Sequence, residues 1–178
     1  MKTLHELFLH HLADMYDAEQ QLAQALPQVA QETQDPLMKQ RIQEHVQETQ
    51  QQIRNLEACF QALGEQPKAT KCAGIAGLLQ EKQMLMRENP SMEVLQAANL
   101  ADSMKIENYE VSAYTALVGL ADLMGHVECE RLLKENLQAE NAMAKFLEQN
   151  TAATLAKLGQ MTGEYNQTRV TNSPYGNM

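Results

Sequence analysis

Six side chains with metal-binding chemistry stand at positions where a helical protein ordinarily places apolar residues. They are five glutamates and one histidine, namely Glu19, His45, Glu48, Glu107, Glu110 and Glu140. Each interrupts a run of mainly apolar residues at the 3,4 spacing of a helix face that packs into a core. Carboxylate oxygens together with an imidazole nitrogen suit iron or manganese. The residue types and their spacing therefore predict a buried metal site.

Four of the glutamates are predicted to lie at the same height. Glu19 and Glu48 are 15 and 14 residues from the predicted turn between the first two long helices. Glu110 and Glu140 are each 15 residues from the turn between the last two. At 1.5 Å per residue each acid is about 22 Å from its turn, which is the midplane of a bundle about 45 Å long. We therefore expect one layer to which all four helices contribute a carboxylate.

Such a layer needs positive charge, because several buried carboxylates are unfavourable together unless protons or cations neutralise them. No lysine or arginine falls in the central layer. Arg41 is next to a core-facing position of its helix, and Lys105 does not share the helix face of Glu107 and Glu110. Two ions of iron or manganese would neutralise the layer, with His45 and Glu107 as supplementary ligands. A metal-free protein is the alternative.

Each of these residues also has a purely structural interpretation. A single glutamate on a helix is usually solvated, and a lone His45 is more often a hydrogen-bonded core histidine than a ligand. Tyr16 and Tyr114, one turn from Glu19 and Glu110, are placed to hydrogen-bond ligating carboxylates, but they can also be ordinary packing residues. Gln52 can act simply as the partner of a buried acid. The four acids lie at matched heights on the core-facing sides of four helices, which favours the metal site.

The elements that must position these side chains are four long helices and one short one. A capping box at Thr3 and Glu6 begins the first, and Pro27 is expected to kink it. The predicted spans are 3–32, 36–63, 74–88, 91–124 and 126–158. Two helical hairpins joined by one connection of nearly 30 residues predict an all-α, ferritin-like four-helix bundle whose long crossover carries the short extra helix. A plain bundle with a helical insertion is the alternative topology.

Composition narrows the class of protein further. The chain has 178 residues, a net charge of -9, 44% hydrophobic residues and few glycines and prolines, which argues against a β-sandwich or barrel. An acidic chain is not expected to bind nucleic acid, and no stretch is apolar enough for a membrane span. Three cysteines without CxxC spacing and an N-terminus without a secretory signal predict reduced thiols and a cytoplasmic location. Residues 1–159 are predicted to form the bundle and residues 160–178 a flexible C-terminal tail.

Four segments resemble the YciE/YciF family of bacterial ferritin-like stress proteins. They are 12–21 (LADMYDAEQQ), 45–49 (HVQET), 71–78 (KCAGIAGL) and 105–114 (KIENYEVSAY), and the resemblance covers roughly residues 3–158. It implies a bundle similar to parts of rubrerythrin, a homodimer, a cytoplasmic location and a link to stress responses. The family has no settled biochemical activity, so the resemblance implies a scaffold rather than a reaction.

The chain departs from the family pattern at several site positions. Asn108 stands where the family commonly has histidine, and Ala139 and Ala144 stand where it commonly has acids. The Glu-x-x-His pairs of ordinary ferritin-like di-iron sites are also absent, because Gln51 and Met143 occupy the histidine positions. A site with one ion, or a vestigial site, therefore remains an alternative to two ions.

Two functions fit these observations. The first is a dimetal protein that acts on oxygen, peroxide or Fe(II), with the small oxidant or the metal ion as its substrate. The second is a non-catalytic dimeric stress or scaffold protein with a vestigial metal site. The third long helix carries an extra apolar stripe, Met104, Val111 and Val118, that is a candidate dimer surface or a seat for the short helix. Whether the protein is an enzyme is left open by the sequence.

Overall fold

The computed structural model describes residues 1–163, and these form five α-helices and no strand. The helices are α1 (Leu4–Glu32), α2 (Pro36–Ala62), α3 (Ala73–Arg87), α4 (Met92–Leu123) and α5 (Val127–Thr162). The predicted all-α class, with four long helices and one short one, is confirmed. Every predicted helix boundary but one lies within about two residues of the observed one, which is the ordinary uncertainty of helix ends.

Local capping chemistry sets most of the helix starts. Thr3 and Glu6 form the predicted capping box at the start of α1. Asp35 accepts hydrogen bonds from the first backbone N–H groups of α2, with Pro36 at the first helical position. Ser91 accepts a hydrogen bond from the Val94 N–H at the start of α4. These contacts satisfy backbone donors that a helix N-terminus otherwise leaves unpaired.

The end of α5 differs from the prediction. The predicted span ends at residue 158, just before Gly159, but α5 continues to Thr162 and ends at Gly163, which has a left-handed φ of 74°. A glycine inside a helix costs only about 1 kcal/mol relative to alanine, so Gly159 alone does not end it. The predicted flexible tail therefore loses its first residues to the helix. The rest of that segment, 164–178, lies outside the described residues.

The four long helices form a bundle in which neighbours are antiparallel. Around the bundle the order is α1, α2, α5, α4, since only these consecutive pairs of long helices pack together. The start of α4 lies beside the α1–α2 turn, where Gln96 Nε2 donates to the Glu32 carbonyl and the Gln34 N–H donates to Gln96. The diagonal helices α2 and α4 therefore run parallel, which requires the long crossover of the ferritin-like topology.

The crossover runs back along α1 from the middle of that helix to its C-terminal end. The Thr70 N–H donates to the Ala13 carbonyl at 3.0 Å, and the Cys72 N–H donates to Asp17 at 2.8 Å. Further along, Lys82 Nζ on α3 lies 2.7 Å from Glu32 Oε2. The short helix α3 is thus fastened to α1 at its start and again at Lys82, and it also packs against α4.

The core is apolar above and below one polar layer. Phe8, Leu12 and Leu133 are fully buried in one half of the bundle, and Leu26 and Leu147 are buried in the other. All three cysteines are buried free thiols, as predicted. Among the described residues, no helix combines the length and the apolar character that crossing a membrane requires.

Two of the three residues of the apolar stripe on α4 pack against the core of the same chain. Met104 and Val118 are half-buried and pack against the core of the same chain. The homodimer remains a prediction.

Candidate metal centre

The polar layer lies at the middle of the bundle and contains five of the six predicted ligands. These are Glu19 on α1, His45 on α2, Glu107 and Glu110 on α4, and Glu140 on α5. Each of these side chains is at most 2% exposed. These five residues are therefore buried, as their spacing along the helices predicts. All four long helices contribute to the layer.

Four members of this layer come close enough to share one cation. Ligand atoms of His45, Glu107, Glu110 and Glu140 all lie within 4.8 Å of one another. The Nε2 atom of His45 is 3.4 Å from Glu107 Oε1 and 3.8 Å from Glu140 Oε2. We refer to these four residues as the central cluster.

Glu48 occupies a different position from the one its seam spacing predicts. Its side chain is 36% exposed and faces the rim of the layer rather than the centre. One oxygen, Oε2, lies 2.9 Å from His45 Nδ1 and 2.9 Å from Arg41 Nη1. Because Nδ1 is turned to Glu48, the other ring nitrogen, Nε2, faces the central cluster. Glu48 is placed to orient the imidazole, and Thr49, its neighbour, is buried instead.

Glu19 is fully buried and has its own hydrogen-bond donor. The Tyr114 hydroxyl on α4 donates to Glu19 Oε1 on α1, not to Glu110 one turn away on its own helix. Tyr114 thus has the predicted kind of partner, a carboxylate of the layer, on a different helix. Burial raises the pKa of Glu19 to about 8, and the Tyr114 hydrogen bond and the charge of His45 only partly offset that effect. The second oxygen of Glu19, Oε2, has no hydrogen-bond partner.

Of the two alternatives for Tyr16, the structure shows the packing residue. Its hydroxyl donates to Glu57 Oε1 on α2 at 2.8 Å and not to Glu19. The ring is half-buried and meets Phe60 edge to face at a centroid distance of 6.0 Å. Tyr16 is thus a packing residue of the α1–α2 interface.

Three amide side chains extend the polar layer. Gln52 Nε2 donates to Glu140 Oε1, which agrees with its predicted part as a partner of a buried acid. Asn136 Nδ2 donates to the Tyr114 hydroxyl at 3.0 Å, and Asn55 Nδ2 donates to Asn136 Oδ1 at 2.7 Å. Sequence reasoning missed both asparagines. Their spacing was the available signal, since Asn55 follows Gln52 by three residues and Asn136 precedes Glu140 by four.

Burial and mutual repulsion shape the protonation of the layer. The pKa of Glu110 is raised far above its usual range by burial first and by the charge of Glu140 second. The pKa of Glu140 is also raised far above its usual range by burial, although the charge of His45 opposes the shift. Burial lowers the pKa of His45, but neighbouring carboxylates, foremost Glu107, outweigh burial and raise it. The carboxylates of this layer therefore require protons or a cation.

The residues of the layer fit a bound metal. Five buried carboxylate oxygens have no hydrogen-bond partner: Glu19 Oε2, Glu107 Oε2, both oxygens of Glu110, and Glu140 Oε2. Buried polar atoms without partners are rare in folded proteins and call for an explanation such as an ion. The donor set of carboxylate oxygens and one imidazole is the kind that iron and manganese take. The central cluster therefore has both the free ligand atoms and the uncompensated charge that a cation would satisfy.

Comparison with known proteins agrees with this fold. Residues 3–158 match the family described as a domain of unknown function, DUF892. The chain is 34% identical over 143 residues to protein YciF of Escherichia coli K12, covering 80% of this chain and 86% of YciF.

Two solved structures are similar along most of their length. The crystal structure of the E. coli stress protein YciF superposes with a TM-score of 0.82 at 32% identity, covering 88% of this chain and 99% of that one. The structure of YcfI from Rhodopseudomonas palustris has a TM-score of 0.79 at 36% identity and covers 82% and 93% of the two chains. The predicted resemblance is therefore confirmed, and the chain belongs to the DUF892 family as a homologue of the stress protein YciF.

Proposed function

We propose that this protein is a stress-associated metalloprotein that binds two iron or manganese ions at the bundle midplane and acts on oxygen, peroxide or Fe(II). One observation carries the proposal. Five carboxylate oxygens without hydrogen-bond partners are buried in one layer, and the Nε2 atom of His45 lies among them. Metal ions would satisfy these atoms and neutralise their charge together.

The residues divide by what they contact. His45, Glu107, Glu110 and Glu140 would supply the ligands of the central cluster, and Glu19 would add its free oxygen from the α1 side. Glu48 would not bind the metal directly in this arrangement, because its nearer oxygen is already paired with His45 and Arg41. It would instead fix the direction in which the imidazole presents Nε2.

Bound iron or manganese would supply a site for electron transfer to an oxidant. The chain itself positions the ligands: Tyr114 hydrogen-bonds Glu19, and Gln52 hydrogen-bonds Glu140. The apolar layers above and below exclude bulk water, which strengthens electrostatic interactions inside the site. YciF, the curated relative, is described as a stress protein. A reaction that consumes oxidants or Fe(II) agrees with such a setting.

Metal reconstitution tests the proposal. Metal-free protein is incubated with Fe(II) or Mn(II) without oxygen, desalted and analysed for bound metal by mass spectrometry. We expect two ions per chain in the wild type and less than a tenth of that amount in the double variant Glu19→Ala/Glu140→Ala. The matched control is Glu44→Ala/Glu148→Ala, which removes two exposed helical glutamates. Wild-type protein without bound metal, or a double variant that binds as much as the control, would refute the proposal.

A second measurement separates the dimetal protein from the scaffold protein. If the layer binds no metal, replacing Glu19 by leucine should stabilise the bundle, because burial disfavours the carboxylate and Tyr114 satisfies only one of its two oxygens. If the layer binds metal, Glu19→Leu should lower the thermal stability of the reconstituted protein relative to wild type.

We also propose that the protein is a homodimer. Light scattering coupled to gel filtration would test this by measuring the mass of the particle in solution.

A further inference from the structure

A cavity lies between α1, α3 and α4, next to the metal centre. Its volume is about 520 Å³. Sites for small organic molecules have volumes of roughly 300–1,000 Å³, whereas a water molecule needs only about 30 Å³. The cavity is therefore far larger than dioxygen or peroxide requires. Its volume is sufficient for a small organic molecule.

The walls of this cavity are mainly apolar. Each of the three helices contributes large apolar side chains, including Leu22, Leu26, Leu78, Leu79 and Ile106. Leu22 and Leu26 are buried, whereas Leu78, Leu79 and Ile106 are only half-buried although they lie between helices. The exposed amides of Gln24, Gln28 and Gln83 also line the cavity, and they place its opening at the surface between α1 and α3.

Two residues that line this cavity have a buried acceptor atom without a partner. Asn99 is 6% exposed and its Oδ1 has no hydrogen-bond partner. Glu107 is 2% exposed and its Oε2 also has none. Both residues are on α4, eight positions apart, which is about 12 Å along the helix. The apolar cavity therefore runs from Asn99 to an acid of the metal centre.

The surroundings of Asn99 define the head group that it can bind. Asn99 Nδ2 donates to Glu32 Oε2 at 3.2 Å, and this bond leaves Oδ1 as the free atom of the amide. Lys82 Nζ lies 2.7 Å from the same Glu32 oxygen, so an ammonium group stands beside the amide. The charge of Lys82 is already paired with that of Glu32. A neutral hydroxyl can donate its proton to Asn99 Oδ1 without disturbing this ion pair.

We propose that this cavity is a binding site for an elongated apolar molecule with a neutral hydroxyl group, of the class of alkylphenols and medium-chain alcohols. The hydroxyl donates to Asn99 Oδ1, and the apolar body lies along α4 towards Glu107. The proposal is independent of metal binding, because the cavity and Asn99 exist without any ion. It places an organic ligand, rather than only a small oxidant, beside the metal centre.

Calorimetric titration of the metal-free protein provides the test. The probes are 4-propylphenol and its methyl ether, 4-propylanisole, which have similar shapes but differ in the hydroxyl donor. We expect the phenol to bind about tenfold more tightly than the ether, since the ether leaves the buried Asn99 oxygen unpaired. In Asn99→Leu the preference for the phenol should disappear, because the acceptor is gone while the volume is retained.

A cavity-filling variant tests the location independently of Asn99. Ala25→Phe, which projects a ring into the cavity, should abolish binding of both probes. Ala23→Phe is the matched control on the same helix, half-buried but outside the cavity, and it should bind like wild type. Circular dichroism confirms that the variants fold. Absence of binding by the wild type, equal affinity for the two probes, or unchanged binding in Ala25→Phe would overturn the proposal.

Discussion

The Nδ1 atom of His45 lies 2.9 Å from Oε2 of Glu48, one turn further along α2. A carboxylate partner on one ring nitrogen fixes the tautomer and the orientation of an imidazole. Here it turns Nε2 towards Glu107 and Glu140 in the central cluster. Glu48, the most exposed of the six predicted ligands, therefore acts on the site by orienting its single histidine.

This relationship predicts that Glu48→Ala weakens metal binding without removing a ligand. We expect metal affinity to fall by roughly 10- to 100-fold, the usual effect of losing a group that orients a ligating histidine. Competition with a chromogenic chelator measures the affinity. Glu44→Ala, an exposed position on the same helix, is the control and should leave affinity unchanged. Equal affinities of the two variants would show that Glu48 does not position His45.

Tyr114→Phe should destabilise the metal-free protein by about 1–3 kcal/mol. The hydroxyl donates to Glu19 and accepts from Asn136, so its removal leaves buried polar atoms unpaired. Urea denaturation followed by circular dichroism measures the change. Tyr16→Phe is the control, since Tyr16 is only half-buried and its partner Glu57 can turn to water. The expectation fails if the two variants lose the same free energy of unfolding.

Two glycines of α3 should respond oppositely to alanine. A Cβ atom at Gly74 would lie 2.6 Å from Tyr109 Cε2, and the Tyr109 ring is held by hydrogen bonds to Cys72 and Asp14. We expect Gly74→Ala to destabilise the protein by about 1–3 kcal/mol through overpacking. Gly77 has nothing within 4 Å of such an atom, so Gly77→Ala should stabilise it by about 0.5–1 kcal/mol. Thermal unfolding of both variants checks the difference in sign.

The ion pair between Glu32 and Lys82 should make a pH-dependent contribution of about 1 kcal/mol to stability. Burial raises the pKa of Glu32, but the hydrogen bonds from Lys82, Gln28 and Asn99 outweigh burial and lower it below its ordinary value of 4.5. A lowered folded-state pKa stabilises the fold above the unfolded pKa. That stabilisation is lost as the pH falls through the folded pKa.

Glu32→Gln should therefore be less stable than wild type at pH 7, and the difference should shrink as the pH is lowered below about 4.5. Denaturant unfolding at several pH values measures it. Lys82→Met is the control for the pair, because it removes the same charge interaction from the other side. A difference that is constant with pH would show that the charge of Glu32 does not contribute.

Much of the fold could be predicted because its signals are local. Thr3 with Glu6, and Asp35 with Pro36, mark helix starts through contacts within a few residues, which require no knowledge of the tertiary structure. Gly159 was misread for the same reason. A glycine permits a helix end but does not impose one, and only the left-handed φ of Gly163 shows where α5 stops.

The candidate site was predictable to the level of helix faces but not of single side chains. A 3,4 spacing does not decide which of two adjacent residues at each turn faces the core. A shift of one residue rotates a side chain by about 100° around the helix. That shift is why Glu48 faces the rim while Thr49 is buried. It is also why Asn136 is buried while its neighbour Leu137 is only half-buried.

Periodicity and counting along each helix were enough to predict an all-helical chain, the approximate bounds of its five helices and an acidic layer at one height. Which atoms meet in that layer depends on how the helices pack. The meeting of His45 with Glu107 and Glu140 depends on how α2 packs against α4 and α5. The cavity from Asn99 to Glu107 depends on how α1, α3 and α4 pack. Those contacts join residues far apart in sequence, where local spacing carries no information.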